Sequence, residues 1–192
     1  MGLRNSADSW GWLARLLHWT IAGIVLFLLG LGIYMTRIMP EMKASTSEIV
    51  AQFQVHKSWG FTVFVLVVLR LIWRAVNPTP ELPAAMSRAE RFLAKAGHLS
   101  IYALLFAIPI TGWLMVSSSP FQDFGIPNKV FGLFDMPDPF VPGDKDISAL
   151  FSDIHFACVI ALTVVLVGHI GAALKHHFIE RDNVLRRMIT GR

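Results

Sequence analysis

One run of 21 residues, Ile154–Leu174, contains no Asp, Glu, Lys or Arg, yet it holds two histidines. An uncharged stretch of that length is enough for a helix to cross a bilayer, where every backbone polar group must be bonded within the segment. His155 and His169 are fourteen residues apart, nearly four turns at 3.6 residues per turn, so both imidazoles project from one face. The helical rise separates them by roughly 21 Å, which puts one near each edge of a hydrocarbon core about 30 Å thick. Ionisable side chains are costly at that depth and mark functional sites.

Three further segments resemble this one. Leu16–Met35 and Leu99–Ser119 carry no charge, and Ser58–Leu69 is a shorter uncharged core. The last extends from Phe53 to Arg74 if Lys57, Arg70 and Arg74 reach their charges towards the headgroups. Spans are therefore expected at about 13–35, 53–75, 98–118 and 153–175. Pro109 should kink the third span, and neighbouring helices must then help satisfy the freed carbonyl. Composition agrees: 54% of the 192 residues are hydrophobic and 16% charged, against about 25% charged in a soluble domain. No internal repeat or second domain is visible, so residues 1–192 read as one integral membrane domain. The polar stretch Met1–Trp12 and the length of the first apolar run argue against a cleavable signal peptide.

The basic residues orient the chain. Arg4 and Arg15 precede the first span; Arg70, Arg74, Arg88, Arg91 and Lys95 fall at or between spans two and three. Lys175, Arg181, Arg186, Arg187 and Arg192 follow the fourth. The other side has Arg37, Lys43, Lys57, Lys129 and Lys145. The positive-inside rule puts both termini in the cytoplasm. The net charge of +4 is accounted for by topology, and no nucleic-acid partner is expected. The connection Pro120–Ser152 is long and rich in proline, and a loop of that size is commonly functional or mobile. Its Phe121, Phe124, Phe131, Phe134 and Phe140 suggest a lid packed on the periplasmic side.

Orientation assigns each histidine a depth. His56 and His155 share the periplasmic level, and His18, His98 and His169 share the cytoplasmic one. A lone histidine at a helix end can simply hydrogen-bond in the interface. Five at two matched levels, two of them on one face, are better explained by a pair of bis-histidine haems. Small residues one turn on, Ala22 after His18, Gly60 after His56 and Ala173 after His169, would let a flat macrocycle approach; His155 has Val159 there. Small residues also serve ordinary helix packing in membranes. The single cysteine, Cys158, excludes disulfides within the chain and C-x-x-C-H attachment, so such haems would be non-covalent, b-type groups.

Several segments carry a resemblance in order and spacing. They are Leu17-His18-Trp19, His56-Lys57-Ser58-Trp59-Gly60, Arg70-Leu71-Ile72-Trp73-Arg74 with Asn77-Pro78, Gly97-His98, Gly112-Trp113-Leu114, and Leu174-Lys175-His176-His177-Phe178 with Arg181-Asp182. Together they resemble the bacterial cytochrome b561 family over essentially the whole chain. The resemblance implies an all-α, transmembrane four-helix bundle in the bacterial inner membrane, holding two b haems. The same architecture serves as the cytochrome b subunit of membrane-bound hydrogenases and formate dehydrogenases. It further implies that His18 and His169 hold the cytoplasmic haem, and His56 and His155 the periplasmic one. Depth alone leaves His98 a rival to His18. His98 is then either a neighbour of a haem propionate or quinone head, or an interfacial histidine. Arg15, Arg70 and Arg74 could pair with propionates through bidentate guanidinium forks, or could simply obey topology. His176 and His177 lie past the last span, where they either face solvent or deliver protons to a reduced quinone.

An iron with two histidine ligands has no open position, so electron transfer is the natural role. The expected function is transmembrane electron transfer between a periplasmic donor and the membrane quinone pool. The family includes an enzyme that oxidises superoxide and reduces ubiquinone, so superoxide:quinone oxidoreductase activity is one expectation. Against it, the third connection carries Asp123, Asp135, Asp138, Asp144, Asp146 and Asp153 with only Lys129 and Lys145. An acidic outer face repels an anionic radical and suits a basic redox protein, although Lys57 beside His56 could provide a local positive entrance. The alternative function is that of a membrane-anchor cytochrome b subunit relaying electrons for a separate periplasmic dehydrogenase or redox partner. A metal transporter is disfavoured, because transporter folds of that kind show repeats and mid-membrane broken helices.

Overall fold

The computed structural model describes residues 2–120, 128–140 and 143–191. The described residues are all-α apart from one short hairpin. Its elements are α1 (Trp12–Ile33), α2 (Thr46–Ala75), α3 (Arg88–Ser117), β1 (Lys129–Val130), β2 (Phe134–Asp135), α4 (Lys145–Lys175) and α5 (Val184–Ile189). A π-helical turn, Tyr34–Ile38, prolongs α1, and another, His176–Glu180, prolongs α4. Four of the helices are long and apolar enough to cross a membrane. Large apolar side chains on their outer faces, such as Phe27, Ile72, Leu99 and Val164, are exposed, as befits helices whose solvent is hydrocarbon.

Three of these helices begin well before the expected spans, and their caps explain why. Ser45 N–H donates to the Glu48 carboxylate (2.8 Å) while Glu48 N–H donates back to Ser45 Oγ (3.4 Å). Ser87 and Glu90 make the same reciprocal pair ahead of α3, at 2.9 and 3.3 Å. Asp144 Oδ1 accepts from Asp146 and Ile147 N–H at the start of α4. Each cap satisfies amides that the first helical turn leaves unbonded. Hydropathy locates the part of a helix that lies in lipid, whereas these caps locate where the helix starts.

The chain divides into two compact units. The first comprises residues 1–22, 66–104 and 161–192. Here the N-terminal segment is bonded to the α2–α3 connection by Asn5 Nδ2 to Pro78 O (2.9 Å) and Glu81 N to Ala7 O (3.0 Å). Gly11 is required there, since a Cβ would sit 2.3 Å from the Leu3 carbonyl oxygen. α5 lies against α1, with Trp19 Nε1 donating to Met188 O (2.9 Å) and Arg15 to Ile189 O (3.3 Å).

The second unit comprises residues 23–65 and 105–160. Its antiparallel hairpin pairs Lys129 with Asp135 and Val130 with Phe134. Phe131 N–H donates to Ser58 Oγ (2.8 Å), and the Phe131 and Phe134 rings meet Trp59 and Phe61 of α2 edge-on. Phe140 packs on Phe151, and Trp113 Nε1 donates to Pro137 O (2.9 Å). The described part of the loop between α3 and α4 is thus docked by aromatic side chains. Phe121, Phe124 and Asp123 lie outside the described residues.

Two histidine clusters and the candidate haem sites

In the first unit the rings of His18, His98 and His169 converge. The centroids of His18 and His169 are 6.3 Å apart, and those of His98 and His169 5.5 Å apart. Two imidazoles binding one metal ion from opposite sides, each at a bond of about 2 Å, place their ring centres roughly 6 Å apart. The His18–His169 separation therefore fits a shared iron, and the His98–His169 separation falls somewhat short of it. Neither the His18 ring nor the His169 ring hydrogen-bonds to another described residue. All three rings lie within electrostatic range of Arg70, and His98 also within range of Arg74.

The three candidate arginines have different surroundings. Arg70 joins three helices of this unit, with Nε donating to Tyr102 Oη (3.0 Å) and a terminal nitrogen to Ala14 O (2.9 Å). A guanidinium has five N–H groups, so donors remain for a carboxylate. Arg74 is half-buried, with no hydrogen bond or ion pair among the described residues. Arg15 instead reaches the α5 backbone at Ile189.

In the second unit His56 sits on α2 and His155 on α4, within electrostatic range of one another. His155 is held by α3. Its Nδ1 lies 2.9 Å from the Ile108 carbonyl oxygen and 3.2 Å from Thr111 Oγ1. A carbonyl can only accept, and the Thr111 hydroxyl already donates to Ala107 O (2.8 Å). The hydrogen therefore resides on Nδ1, which leaves Nε2 with a bare lone pair. Metal-bound histidines are oriented in this way, by donating the other ring N–H to a carbonyl or carboxylate. The carbonyls that receive Thr111 and His155 belong to Ala107 and Ile108, the two residues before Pro109. Gly112 faces the same ring, and a Cβ there would come within 3.1 Å of His155 Cε1. His56 Nδ1 is buried and has no partner among the described residues.

Lys57, the neighbour of His56, is not a free cation at an entrance. Its Nζ donates to Asn128 Oδ1 (2.9 Å), and Asn128 Nδ2 donates to Asp138 Oδ1 (2.7 Å). The hairpin loop thereby brings an acidic group to Lys57. Beyond the spans, His176 is buried and contacts two carboxylates, while His177 Nδ1 is buried without a partner among the described residues. Thr111, Ile108 and Asn128 were not expected from sequence, and Gly112 entered only as part of a resemblance motif. Their roles depend on which helix lies beside which, and no spacing within one segment carries that.

The residues present therefore fit imidazole-ligated iron at both clusters. Comparison with known proteins gives the family. A family profile described as prokaryotic cytochrome b561 matches residues 9–191. Cytochrome b561 homolog 2 of Escherichia coli (strain K12) is 34% identical over 199 residues, covering 98% of this chain and 95% of that protein. Cytochrome b561 homolog 1 of the same organism is 28% identical, over 72% of this chain and 75% of its own. A protein named probable superoxide oxidase CybB, from Yersinia pestis, is 32% identical over 70% of this chain and 73% of its own. With four membrane-crossing helices and a match over nearly its whole length, the chain belongs to the prokaryotic cytochrome b561 family of multi-pass inner-membrane proteins that bind b haem and transfer electrons across the membrane.

Proposed function

We propose that the protein carries electrons from a periplasmic donor to the membrane quinone pool through two non-covalent b haems. His56 and His155 hold the haem near the periplasmic face, and His18 and His169 the one near the cytoplasmic face, both termini being cytoplasmic. The observation that carries this reading is the fixed tautomer of His155, whose Nδ1–H bonds to the Ile108 carbonyl and whose Nε2 is left bare. The His18–His169 ring separation supports the second pair. When bound, haem held by two imidazoles would supply a one-electron couple that exchanges electrons without binding substrate. The protein's own part is to orient four imidazoles and to set the surrounding charge. Arg70, within electrostatic range of His18 and His98, and Arg74, within range of His98, would pair with propionate carboxylates.

Superoxide is one candidate donor, supported by the name of the Yersinia relative. A basic redox protein is the other, supported by the acidic loop and by the engagement of Lys57 through Asn128 with Asp138. The direct test starts with purified protein. A pyridine haemochrome assay should give two haems per chain, all extractable with acid–acetone, because no C-x-x-C-H motif allows thioether links. One haem per chain, or haem retained by denatured protein, refutes the assignment. Stopped-flow reduction by superoxide and by a basic cytochrome, followed by reoxidation with a short-chain ubiquinone, then identifies donor and acceptor.

A further inference from the structure

We infer that His176, Glu180 and Asp182 form the proton-uptake site for quinone reduction. This rests on the reading above, that electrons leave to a quinone at this end of α4. The side chains of the three residues grade from partly exposed to buried: 32% for Glu180, 19% for Asp182 and 9% for His176. His176 Nδ1 lies 2.5 Å from Glu180 Oε2 and 2.7 Å from Asp182 Oδ2. One ring nitrogen carries at most one hydrogen, so two carboxylates share a single donor position. A proton can pass among these three groups without any heavy atom moving far.

The backbone is shaped to make that cluster. The π-helical turn His176–Glu180 follows α4 directly, and such turns are frequent at functional sites. Arg181 then adopts a left-handed conformation, φ 55°, which is uncommon for a residue with a side chain. The turn brings Asp182 back so that its amide donates to His176 O (3.1 Å) and one carboxylate oxygen meets the ring. Its other oxygen accepts from Val184 N–H at the start of α5 (2.9 Å). The charged neighbours of the cluster are Lys175, bonded to Glu180 at 2.7 Å, and Glu90 of α3, bonded to Lys175 at 2.6 Å. The ligand atoms of the three residues lie within 4.8 Å of one another, so a divalent cation is the competing occupant. With Lys175 already pairing Glu180 and both carboxylates at hydrogen-bond distance from one nitrogen, a proton suffices.

Register links the cluster to the electron path. His176 is seven residues after His169, two turns on along the same face, roughly 10 Å further by helix rise. It therefore stands between His169 and the aqueous phase at that end. Reduction of a quinone to its quinol consumes two electrons and two protons. The electrons arrive singly from the haem side. Each proton passes from water through Glu180 or Asp182 to His176 and on to a quinone oxygen, and the next proton from water restores the cluster.

The test uses haem-loaded protein in nanodiscs, with His176→Phe and Glu180→Gln. Both variants should keep full haem content and normal reduction by the donor. Single-turnover reoxidation of pre-reduced protein by a short-chain ubiquinone should slow at least tenfold, since a positioned acid or base contributes about 10²–10⁴-fold. Redox-difference infrared spectra provide a readout independent of turnover: imidazole and carboxylate bands in the wild type should be lost in the variants. Reoxidation within twofold of wild type together with unchanged infrared bands overturns the inference. So does a tightly bound Mn²⁺, seen by paramagnetic resonance and lost in Glu180→Gln, which makes the cluster a cation site. If the wild type itself is not reoxidised by quinone, the quinone reading fails and this inference fails with it.

Discussion

Replacing Gly112 with Ala tests the His155 site with the smallest available change. The new Cβ would lie 3.1 Å from His155 Cε1 and 3.3 Å from Nδ1, a few tenths of an ångström inside ordinary contact. The imidazole must shift or tilt, and its bond to Ile108 O, at 2.9 Å, is the contact it would lose. Overpacking costs about 1–3 kcal/mol, and the hydrogen bond is worth a further 0.5–1.5 kcal/mol or so. Opposing this, Gly→Ala inside a helix gains about 1 kcal/mol. The helix itself is therefore not weakened, and the effect should fall on ligand geometry. Changes to the groups that orient a metal-bound histidine typically cost 10–100-fold in affinity, or about 1.4–2.7 kcal/mol. We expect Gly112→Ala to express and insert normally, to lose most of the haem held by His56 and His155, and to retain the other. Haem per chain, low-temperature α-band spectra and resonance of the ferric states measure this. Thr111→Val, which leaves the Ile108 carbonyl in place, should have a milder effect. Full occupancy of both haems in Gly112→Ala, with unshifted potentials, would refute the view that Ile108 steers His155 as a ligand.

Ligand identity has its own test: His56→Ala should remove one haem and His18→Ala the other, whereas His98→Ala should leave both in place. Loss of the cytoplasmic haem in His98→Ala, with His18→Ala spared, reverses the pairing. The docking face is tested by Asp138→Asn, Asp144→Asn and Asp146→Asn together, which keep the Asn128 bond and the α4 cap sterically possible while removing three charges. Reduction by superoxide should quicken in this triple variant and with added salt, whereas reduction by a basic protein should slow in both cases, the Debye length being about 10 Å at 0.1 M. Rates indifferent to both changes with both donors exclude this loop as the docking surface.

The parts of this molecule that follow from one segment were legible in its sequence. The run Ile154–Leu174 fixed both the helix and the common face of His155 and His169, because period and length act along a single strand of chain. The early starts of α2 and α3 were also written there, as Ser45-x-x-Glu48 and Ser87-x-x-Glu90, but hydropathy measures lipid contact and passes over polar caps. His155 illustrates what was not legible. Its tautomer depends on a carbonyl 47 residues away in another helix, and neither Ile108 nor Thr111 has a composition that announces the contact. Lys57 illustrates a charge whose meaning changed: in the chain it stands beside His56, and in the fold Asn128 joins it to Asp138. His98 could not be separated from His18 by depth, and both rings do meet His169.

If each cluster holds a haem as proposed, the two differ in a way that would give electron flow a direction. Arg70 lies within electrostatic range of His18, His98 and His169, and Arg74 within range of His98; Arg74 has no bonded carboxylate among the described residues. Positive charge favours the reduced state of a nearby iron, which carries one positive charge fewer. Around His155 the Nδ1–H donated to Ile108 O makes the imidazole a stronger donor, which favours the oxidised state. The charge of Lys57 nearby is offset by Asp138. The His56–His155 haem should therefore have the lower midpoint potential, so that electrons entering there run downhill to the other. A unit charge roughly 10 Å away at an effective dielectric near 20 is worth about 1.7 kcal/mol, or about 70 mV for one electron. Arg74→Met should lower the potential of the His18–His169 haem by tens of millivolts, up to about that value, and leave the other unchanged. Spectroelectrochemical titration, with each haem identified by the His56→Ala and His18→Ala variants, reads both values. A wild type in which the His56–His155 haem has the higher potential would mean that these charges do not set the direction of flow.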